Sequence, residues 1–431
     1  MKGDTPLSRG HCLLRNVPDV RGVSDLGETA ALAVGFILII LLLYRKVHIG
    51  TTMFTASAVI GLLGGFGLRR TAGIIFTSVT SRSTIVLLAV VTMICILDHL
   101  LRTYKILDRM VDSLEDLFGS SRVLIMLVPS LMGVLFIPGG AVMSAPVVGY
   151  LGDRLEFGNA RKSAINIVFR HALFLLFPFS TAMVLASQLA EVSPYMIIRL
   201  NIPVAAAALL AGYILFVRKS PVRVAVNVER SAKALPLRVG RVLLYTSPFW
   251  LAILLNLAFG TPFYLALAPG VLIVYMTTGE DKGDFARDII KGINIKMLYS
   301  VAGIMSLQGF ISNMPAVKQT INSLVDTGMD IRVLIVLAAA FIGFLTASNP
   351  AVVGMLCPIF LPFAHSLQER AAFASLIFIS GFLFYFISPV HLCQVFTTEY
   401  FGVKSKELYR EYRLYWPALF ILTITLFFVV Y

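Results

Sequence analysis

Long apolar runs, separated by short polar stretches, recur along almost the whole chain of 431 residues. A helix needs about 20 apolar residues to cross about 30 Å of hydrocarbon. Ten runs approach this length and predict ten transmembrane helices, near residues 30–46, 50–68, 83–101, 163–190, 195–217, 241–259, 262–278, 297–313, 371–395 and 414–431. The pattern therefore predicts an all-α membrane protein.

Two further apolar segments, 122–152 and 332–363, do not fit this count. Each carries turn residues in its middle, Pro-Gly-Gly at 138–140 and Ser-Asn-Pro at 348–350. Half of either segment, as a helix, rises only about 22 Å, which is too short to cross the bilayer. We expect two re-entrant hairpins, whose turns must pack against protein or line a wet cavity because lipid cannot satisfy their backbone groups.

The two hairpin segments resemble each other at an offset of 210 residues. Between positions 122 and 147, nine of 26 residues are identical to those 210 positions later, and Gly133 and Gly343 are one such pair. Helix-breaking dipeptides at Phe177-Pro178 and Ser388-Pro389 keep nearly the same spacing. The sequence therefore predicts that the chain consists of two copies of one structural unit. Each copy has three spans, a hairpin, a broken span and a final span.

The predicted organisation has four parts: a flexible polar tail at 1–29, a first repeat at 30–217, a basic cytoplasmic linker at 218–240 and a second repeat at 241–431. Each repeat crosses the membrane five times, so the second copy is inverted. The loops on one side carry 24 of the 36 Lys and Arg residues, which makes that side the cytoplasm. We expect both termini outside the cytoplasm, in a multi-pass protein of the cell (plasma or inner) membrane, with the hairpins entering from opposite faces.

Composition excludes several classes of protein. Hydrophobic residues make up 58% of the chain and charged residues 14%, with a mean hydropathy of +0.86, against about 45–50% and about 25% in soluble proteins. A soluble enzyme, a disordered chain and a nucleic-acid-binding domain are thereby excluded. The net charge of +13 reflects basic cytoplasmic loops. Cys95, Cys357 and Cys393 lie in apolar runs, where we expect core packing and neither a disulfide nor a metal site.

Inverted repeats with paired interrupted segments are typical of secondary transporters. A membrane scaffold and an intramembrane enzyme are the alternatives. No HExxH, GxSxG or Walker A motif occurs in the sequence, and nothing in the spacing of Ser144 and His171 requires a protease. We therefore expect no enzyme and no cofactor apart from a coupling ion.

The hairpin tips and broken spans predict the binding site. Helix N-termini favour anions, whereas unwound carbonyls and helix C-termini favour Na⁺. Ser348 and Asn349, with nearby carbonyls, form the expected Na⁺ site. The residues predicted to bind substrate or ion are Pro138, Gly139, Gly140, Ala141, Ser144, Asn166, Arg170, His171, Thr346, Ser348, Asn349, Ser388 and His391.

Three ionisable residues in the predicted spans need separate interpretation. Arg170 lies about 12 Å into its span, either as a fixed charge for an anionic substrate or paired with hairpin carbonyls or an Asp. His391 either takes a proton during transport or is a buried neutral histidine. Asp98 is the only carboxylate within a span, which argues against carboxylate-based Na⁺/H⁺ exchange and is compatible with sodium held by neutral oxygens.

Four motifs carry a resemblance to a known family: IPGGAVMSAP at 137–146, NIVFRH at 166–171, SPVHLC at 388–393 and TEYF at 398–401. Over residues 30–431 the chain resembles an uncharacterised prokaryotic membrane family with a domain of unknown function. That family is placed in the ion transporter superfamily, alongside gluconate permeases, citrate carriers and divalent anion/sodium symporters. The resemblance implies a scaffold, often dimeric, and a transport domain with two re-entrant hairpins that moves anions.

In the divalent anion/sodium symporters, Ser-Asn-Thr at each hairpin tip contacts sodium and substrate carboxylate. Ser348 and Asn349 match the first two positions, Pro350 replaces the Thr, and 138–140 offers no matching side chains. We expect a secondary active transporter of a small anion, an organic carboxylate, by alternating access coupled to Na⁺ or H⁺. The alternatives are a cation/proton antiporter of the same architecture and a non-transporting membrane partner protein. The expected partners are the anion, the lipid bilayer and a second copy of the chain, without nucleic acid.

Overall fold

The computed structural model describes residues 25–45, 47–134, 141–219, 235–278, 284–315, 319, 322–323, 326–389 and 391–431. Within these ranges every regular element is a helix. The tail up to residue 24, the tip at 138–140 and most of the linker, 220–234, lie outside the described residues. The predicted all-α class is confirmed for the part of the chain that is described.

The described residues of the first half of the chain form ten α-helices. They are α1 (Asp25–Tyr44), α2 (Ile49–Leu63), α3 (Gly67–Thr80), α4 (Arg82–Thr103), α5 (Ile106–Phe118), α6 (Ser121–Val134), α7 (Ala141–Arg154), α8 (Asn159–Ala172), α9 (Thr181–Ala190) and α10 (Pro194–Gly212). A π-helical turn, Tyr213–Val217, extends α10. The amphipathic helix α5, with buried Ile106, Leu107, Met110 and Leu114, occupies a stretch that the hydrophobic pattern assigned to a loop.

The second half adds ten more among the described residues. They are α11 (Leu235–Phe259), α12 (Phe263–Ala266), α13 (Ala268–Thr277), α14 (Phe285–Lys291), α15 (Ile295–Ser312), α16 (Ile331–Thr346), α17 (Asn349–Phe360), α18 (Leu367–Phe386), α19 (Leu392–Phe401) and α20 (Ser405–Thr425). A second π-helical turn, Leu426–Val430, extends α20. Helix α11 begins six residues before the predicted start of the second repeat at 241, and its first turns carry the apolar residues Leu235, Leu237 and Val239.

Five helices of the described chain are long and apolar enough to cross a membrane: Arg82–Thr103, Pro194–Val217, Leu235–Phe259, Leu367–Phe386 and Ser405–Val430. Shorter apolar helices fill much of the rest, including Ile49–Leu63 and Phe263–Thr277. These helices give the protein the character of an integral membrane protein.

Both predicted hairpin segments fold as pairs of packed helices. Helix α6 packs on α7, and α16 packs on α17. Between α16 and α17 the turn consists of Ala347, in the left-handed conformation at φ 47°, and Ser348. Helices of 14 and 16 residues rise about 21 and about 24 Å, less than the hydrocarbon thickness of about 30 Å.

The two predicted helix breaks are present. Helix α8 ends at Ala172 and α9 begins at Thr181, so Phe177-Pro178 lies between them; Ser388-Pro389 lies between α18 and α19. Each break leaves a carbonyl that a side chain of the following long helix satisfies. Asn201 Nδ2 donates to Leu175 O over 2.9 Å, and the Tyr409 hydroxyl donates to Ile387 O over 2.9 Å. Such internal partners are what allow broken helices inside a bundle.

Two glycines bring the hairpins against the broken helices. A Cβ on Gly133 of α6 would lie 1.8 Å from the carbonyl oxygen of Arg170 in α8. A Cβ on Gly343 of α16 would lie 2.8 Å from the carbonyl oxygen of Gly381 in α18. Small residues permit this close backbone approach between apolar helices. Gly133 and Gly343, which are identical positions in the sequence repeat, therefore have the same packing role in the two halves.

Substituting Gly133 tests this packing. We expect Gly133→Ala to destabilise the purified protein by about 1–3 kcal/mol, the usual cost of overpacking a core, because backbone of α8 must move. Gly149→Ala is the matched control, since its Cβ would meet only the Phe401 ring at 3.5 Å, an ordinary contact. Thermal unfolding in detergent measures both variants. Equal midpoints for the two would contradict the close contact.

Candidate functional site

A cavity of about 540 Å³ lies where the second hairpin meets the two helix breaks. Its walls come from residues 47–49 before and at the start of α2, Gly133 of α6, Arg170 and His171 of α8, the start of α15, the turn at 346–351, and 391–393 at the start of α19. Residues from both halves of the chain therefore share one space, of a size suited to a small molecule.

Basic and neutral polar groups line this cavity. Arg170, only 4% exposed, Lys296 and three histidines, His48, His171 and His391, face it. Among the described lining residues there is no Asp or Glu. A charge in such an interior is costly and marks a functional position by default, and a cleft lined by one sign of charge concentrates ligands of the opposite sign.

The turn of the second hairpin supplies the polar groups of one wall. Ser348 is the N-cap of α17, and its hydroxyl accepts a hydrogen bond from Ala351 N over 3.4 Å. Asn349 is 2% exposed, yet its Oδ1 and Nδ2 have no hydrogen-bond partner among the described residues. The same holds for the Thr346 hydroxyl. Leaving a buried polar group unpaired costs about 1–3 kcal/mol, so this wall is suited to a polar ligand.

Asn166 and Ser144, two of the predicted binding residues, lie in a separate buried network. Ser144 Oγ donates to Asn166 Oδ1 over 2.6 Å, and Asn166 Nδ2 donates to Ala141 O over 3.0 Å and to Thr397 Oγ1 over 3.1 Å. These bonds join α7, α8 and α19. Ala141, Ser144 and Asn166 are therefore bonded to other residues of the protein, and they are not among the residues that line the cavity.

Ser388 also has a protein partner. Its hydroxyl donates to Phe344 O over 2.6 Å and thereby fastens the end of α16 to the break before α19. Asp98, the carboxylate predicted within a span, is paired with Arg102 four residues later, at 2.9 Å. Pro138, Gly139 and Gly140 lie outside the described residues. The structure thus brings together Arg170, His171, Thr346, Ser348, Asn349 and His391 of the predicted set.

Sequence reasoning missed one cluster at this cavity. His171, His391 and Cys393 are all buried, and one ring nitrogen of each histidine and the Cys393 Sγ lie within 4.8 Å of one another. His171 and His391 are 220 positions apart, so local motifs could not pair them. The signal that could have found the cluster is that His171 directly precedes one helix break and His391 directly follows the other.

The bundle and its internal cavity define an all-helical protein with membrane-length helices and a polar interior site. The chain belongs to the family described as protein of unknown function (DUF401), whose model matches residues 29–431. The comparison with curated proteins gave no match. The predicted resemblance to an uncharacterised family is confirmed over nearly the whole chain, and its connection to the ion transporter superfamily stays a prediction.

Proposed function

We propose that the protein is a secondary transporter that moves a small anion, an organic carboxylate, across the cell membrane by alternating access. The observation that carries the proposal is the shared cavity. It combines Arg170, Lys296 and three histidines with the α17 N-terminus, and the described lining residues include no carboxylate. A guanidinium and a helix N-terminus are both complementary to a carboxylate.

Helix bounds in the two halves support a two-repeat architecture. From α6 and α16 onward, each half has a hairpin, a broken helix, a ten-residue helix and a long final helix ending in a π-turn. Helices α9 (Thr181–Ala190) and α19 (Leu392–Phe401) begin and end 211 positions apart. With five crossings per unit the second copy is inverted, which is one of the architectures that alternating-access transporters use.

Packing between the halves follows the same correspondence. Helix α7 of the first hairpin packs on α19, and α17 of the second hairpin packs on α9. Each hairpin therefore contacts the half-helix that follows the break in the other repeat. This exchange favours a transport domain in which both hairpins and both breaks lie around one site.

The lining residues also favour one direction of opening. Val47 and His48, and Asn294 and Lys296, belong to two loops that the positive-inside rule places in the cytoplasm. From these loops the cavity reaches the turn of the second hairpin, which we propose enters from the opposite face. We therefore propose that the cavity is open to the cytoplasm, as in an inward-facing state of a transporter.

Coupling to sodium is supported by the neutral oxygens at the turn. The Asn349 amide oxygen and the Thr346 hydroxyl lack partners among the described residues, and Ser348 lies between them. Hard cations prefer such oxygen ligands. Because Asp98 is already paired with Arg102, the chain offers little support for a carboxylate-based cation/proton antiporter.

Uptake of a labelled organic-acid panel into proteoliposomes, with and without an inward sodium gradient, tests the proposed function. We expect accumulation of at least one carboxylate, greater with the sodium gradient. Proton-coupled cation movement without uptake of any anion would indicate the antiporter instead. No transport of any solute or ion tested would favour a non-transporting partner protein.

Replacing Arg170 tests the role of the buried charge. We expect Arg170→Gln to raise the substrate concentration for half-maximal uptake about 10- to 100-fold, the equivalent of one charge-assisted hydrogen bond. Arg332→Gln is the matched control, because Arg332 bonds Asp330 and the Phe427 carbonyl away from the cavity. An unchanged half-maximal concentration in a folded Arg170→Gln protein would contradict a direct role in anion binding.

Replacing Asn349 tests the turn of the second hairpin. We expect Asn349→Ala to lose most of its transport while its thermal stability stays near that of the parent, because the Asn349 side chain has no hydrogen-bond partner among the described residues. Asn313→Ala, which removes only an exposed bond to Gly309 of its own helix, is the control for both measurements. Uptake by Asn349→Ala at the rate of the parent protein would show that this turn is not part of the binding site.

A further inference from the structure

His171, His391 and Cys393 have the geometry of a three-ligand metal site. The two imidazole rings are 4.9 Å apart between centroids and inclined at 76°. One nitrogen of each ring and the Cys393 Sγ lie within 4.8 Å of one another. In a tetrahedral zinc site, with Zn–N about 2.0–2.1 Å and Zn–S about 2.3 Å, neighbouring ligand atoms are about 3.6 Å apart. Small side-chain rotations would therefore bring the three atoms to a common ion.

The hydrogen bonds of both histidines prepare them as ligands. His171 Nδ1 lies 2.7 Å from Ile167 O, and His391 Nδ1 lies 3.3 Å from Phe386 O. Because a carbonyl oxygen can only accept, Nδ1 of each ring carries the proton and Nε2 carries the lone pair. Metal-binding histidines have this same arrangement, with the second nitrogen donating to a carbonyl or carboxylate.

The cluster is buried. His171, His391 and Cys393 are each at most 8% exposed, and they bring two imidazole rings and one sulfur atom together. Since buried polar groups are normally paired, a cation bound by all three side chains would satisfy them together.

The structure assigns His171, His391 and Cys393 to a Zn²⁺ site whose fourth coordination position faces the cavity. The donor set, two imidazole nitrogens and one thiolate, selects a borderline-soft transition metal over Na⁺, Mg²⁺ or Ca²⁺, which prefer oxygen ligands. Three protein ligands with one open position are typical of zinc sites that bind a water or a substrate.

The charge balance indicates what the fourth position takes. Zn²⁺ with one thiolate retains one positive charge, and the Arg170 guanidinium adds a second beside it. The described lining residues supply no carboxylate to offset these charges, so the open position favours an anion. The identification of this anion with the transported carboxylate rests on the proposed function, whereas the metal site itself does not.

Metal analysis of the purified full chain tests the site without any transport assay. After incubation with Zn²⁺ and gel filtration, we expect about one zinc per chain. Replacing zinc by Co²⁺ should give a near-ultraviolet thiolate-to-cobalt absorption band. Cys393→Ser should lose the band and most of the bound zinc. Cys357→Ser is the matched control, since Cys357 is also fully buried but is not part of the cluster, and it should keep both.

His391→Gln gives a second, independent variant should Cys393→Ser fail to fold, and it should also lose most of the zinc. A parent protein that retains no zinc and gives no thiolate band would overturn the site. So would a band of parental intensity in folded Cys393→Ser. Both results concern metal binding alone, and anion uptake is measured separately on the parent protein. Failure of the metal site and failure of the transporter proposal are therefore distinguishable.

Discussion

Backbone groups exposed at helix breaks inside an apolar bundle constrain the rest of this structure. Lipid offers no hydrogen bonds, so every freed carbonyl and amide needs a partner from the protein or from a wet cavity. Asn201 satisfies Leu175 O, Tyr409 satisfies Ile387 O, and Ser388 satisfies Phe344 O. These bonds fix the ends of the broken helices, and glycines at 133 and 343 let the hairpins lie directly against those helices.

The same constraint separates structural polar residues from those available to a ligand. Asn166 and Ser144 use their hydrogen bonds to join α7, α8 and α19. Asn349 and Thr346 have buried polar atoms with no partner in the described chain, and both residues line the cavity that Arg170 also lines. Other buried polar atoms, among them the Ser306 and Ser380 hydroxyls, also lack partners in the described chain. It is therefore the position of Asn349 and Thr346 at a cavity lined by Arg170 that supports the proposed anion site.

Much of the helical architecture could be predicted from sequence because membrane-length apolar runs and helix-breaking prolines are strong local signals. The hairpin turn at 346–350 and both breaks follow from them. The amphipathic helix α5 was missed because it has no continuous apolar run: its buried residues alternate with charged ones such as Asp108 and Arg109. Which residues belong to the cavity depends on tertiary contacts, and these cannot be read from sequence. Asn166 and Ser388 were therefore grouped with Arg170, although each has a hydrogen-bond partner within the protein. For the same reason Cys393 was assigned to the core.

The central claim is that one anion-binding cavity opens to the cytoplasm and reaches the turn of the second hairpin. Thr346→Cys, labelled in vesicles of known orientation with a membrane-impermeant thiol reagent, measures this directly, with the parent chain as background. The account predicts labelling from the cytoplasmic face that slows when the transported anion is added. Labelling only from the outer face, or a rate unaffected by any anion in the panel, would contradict it.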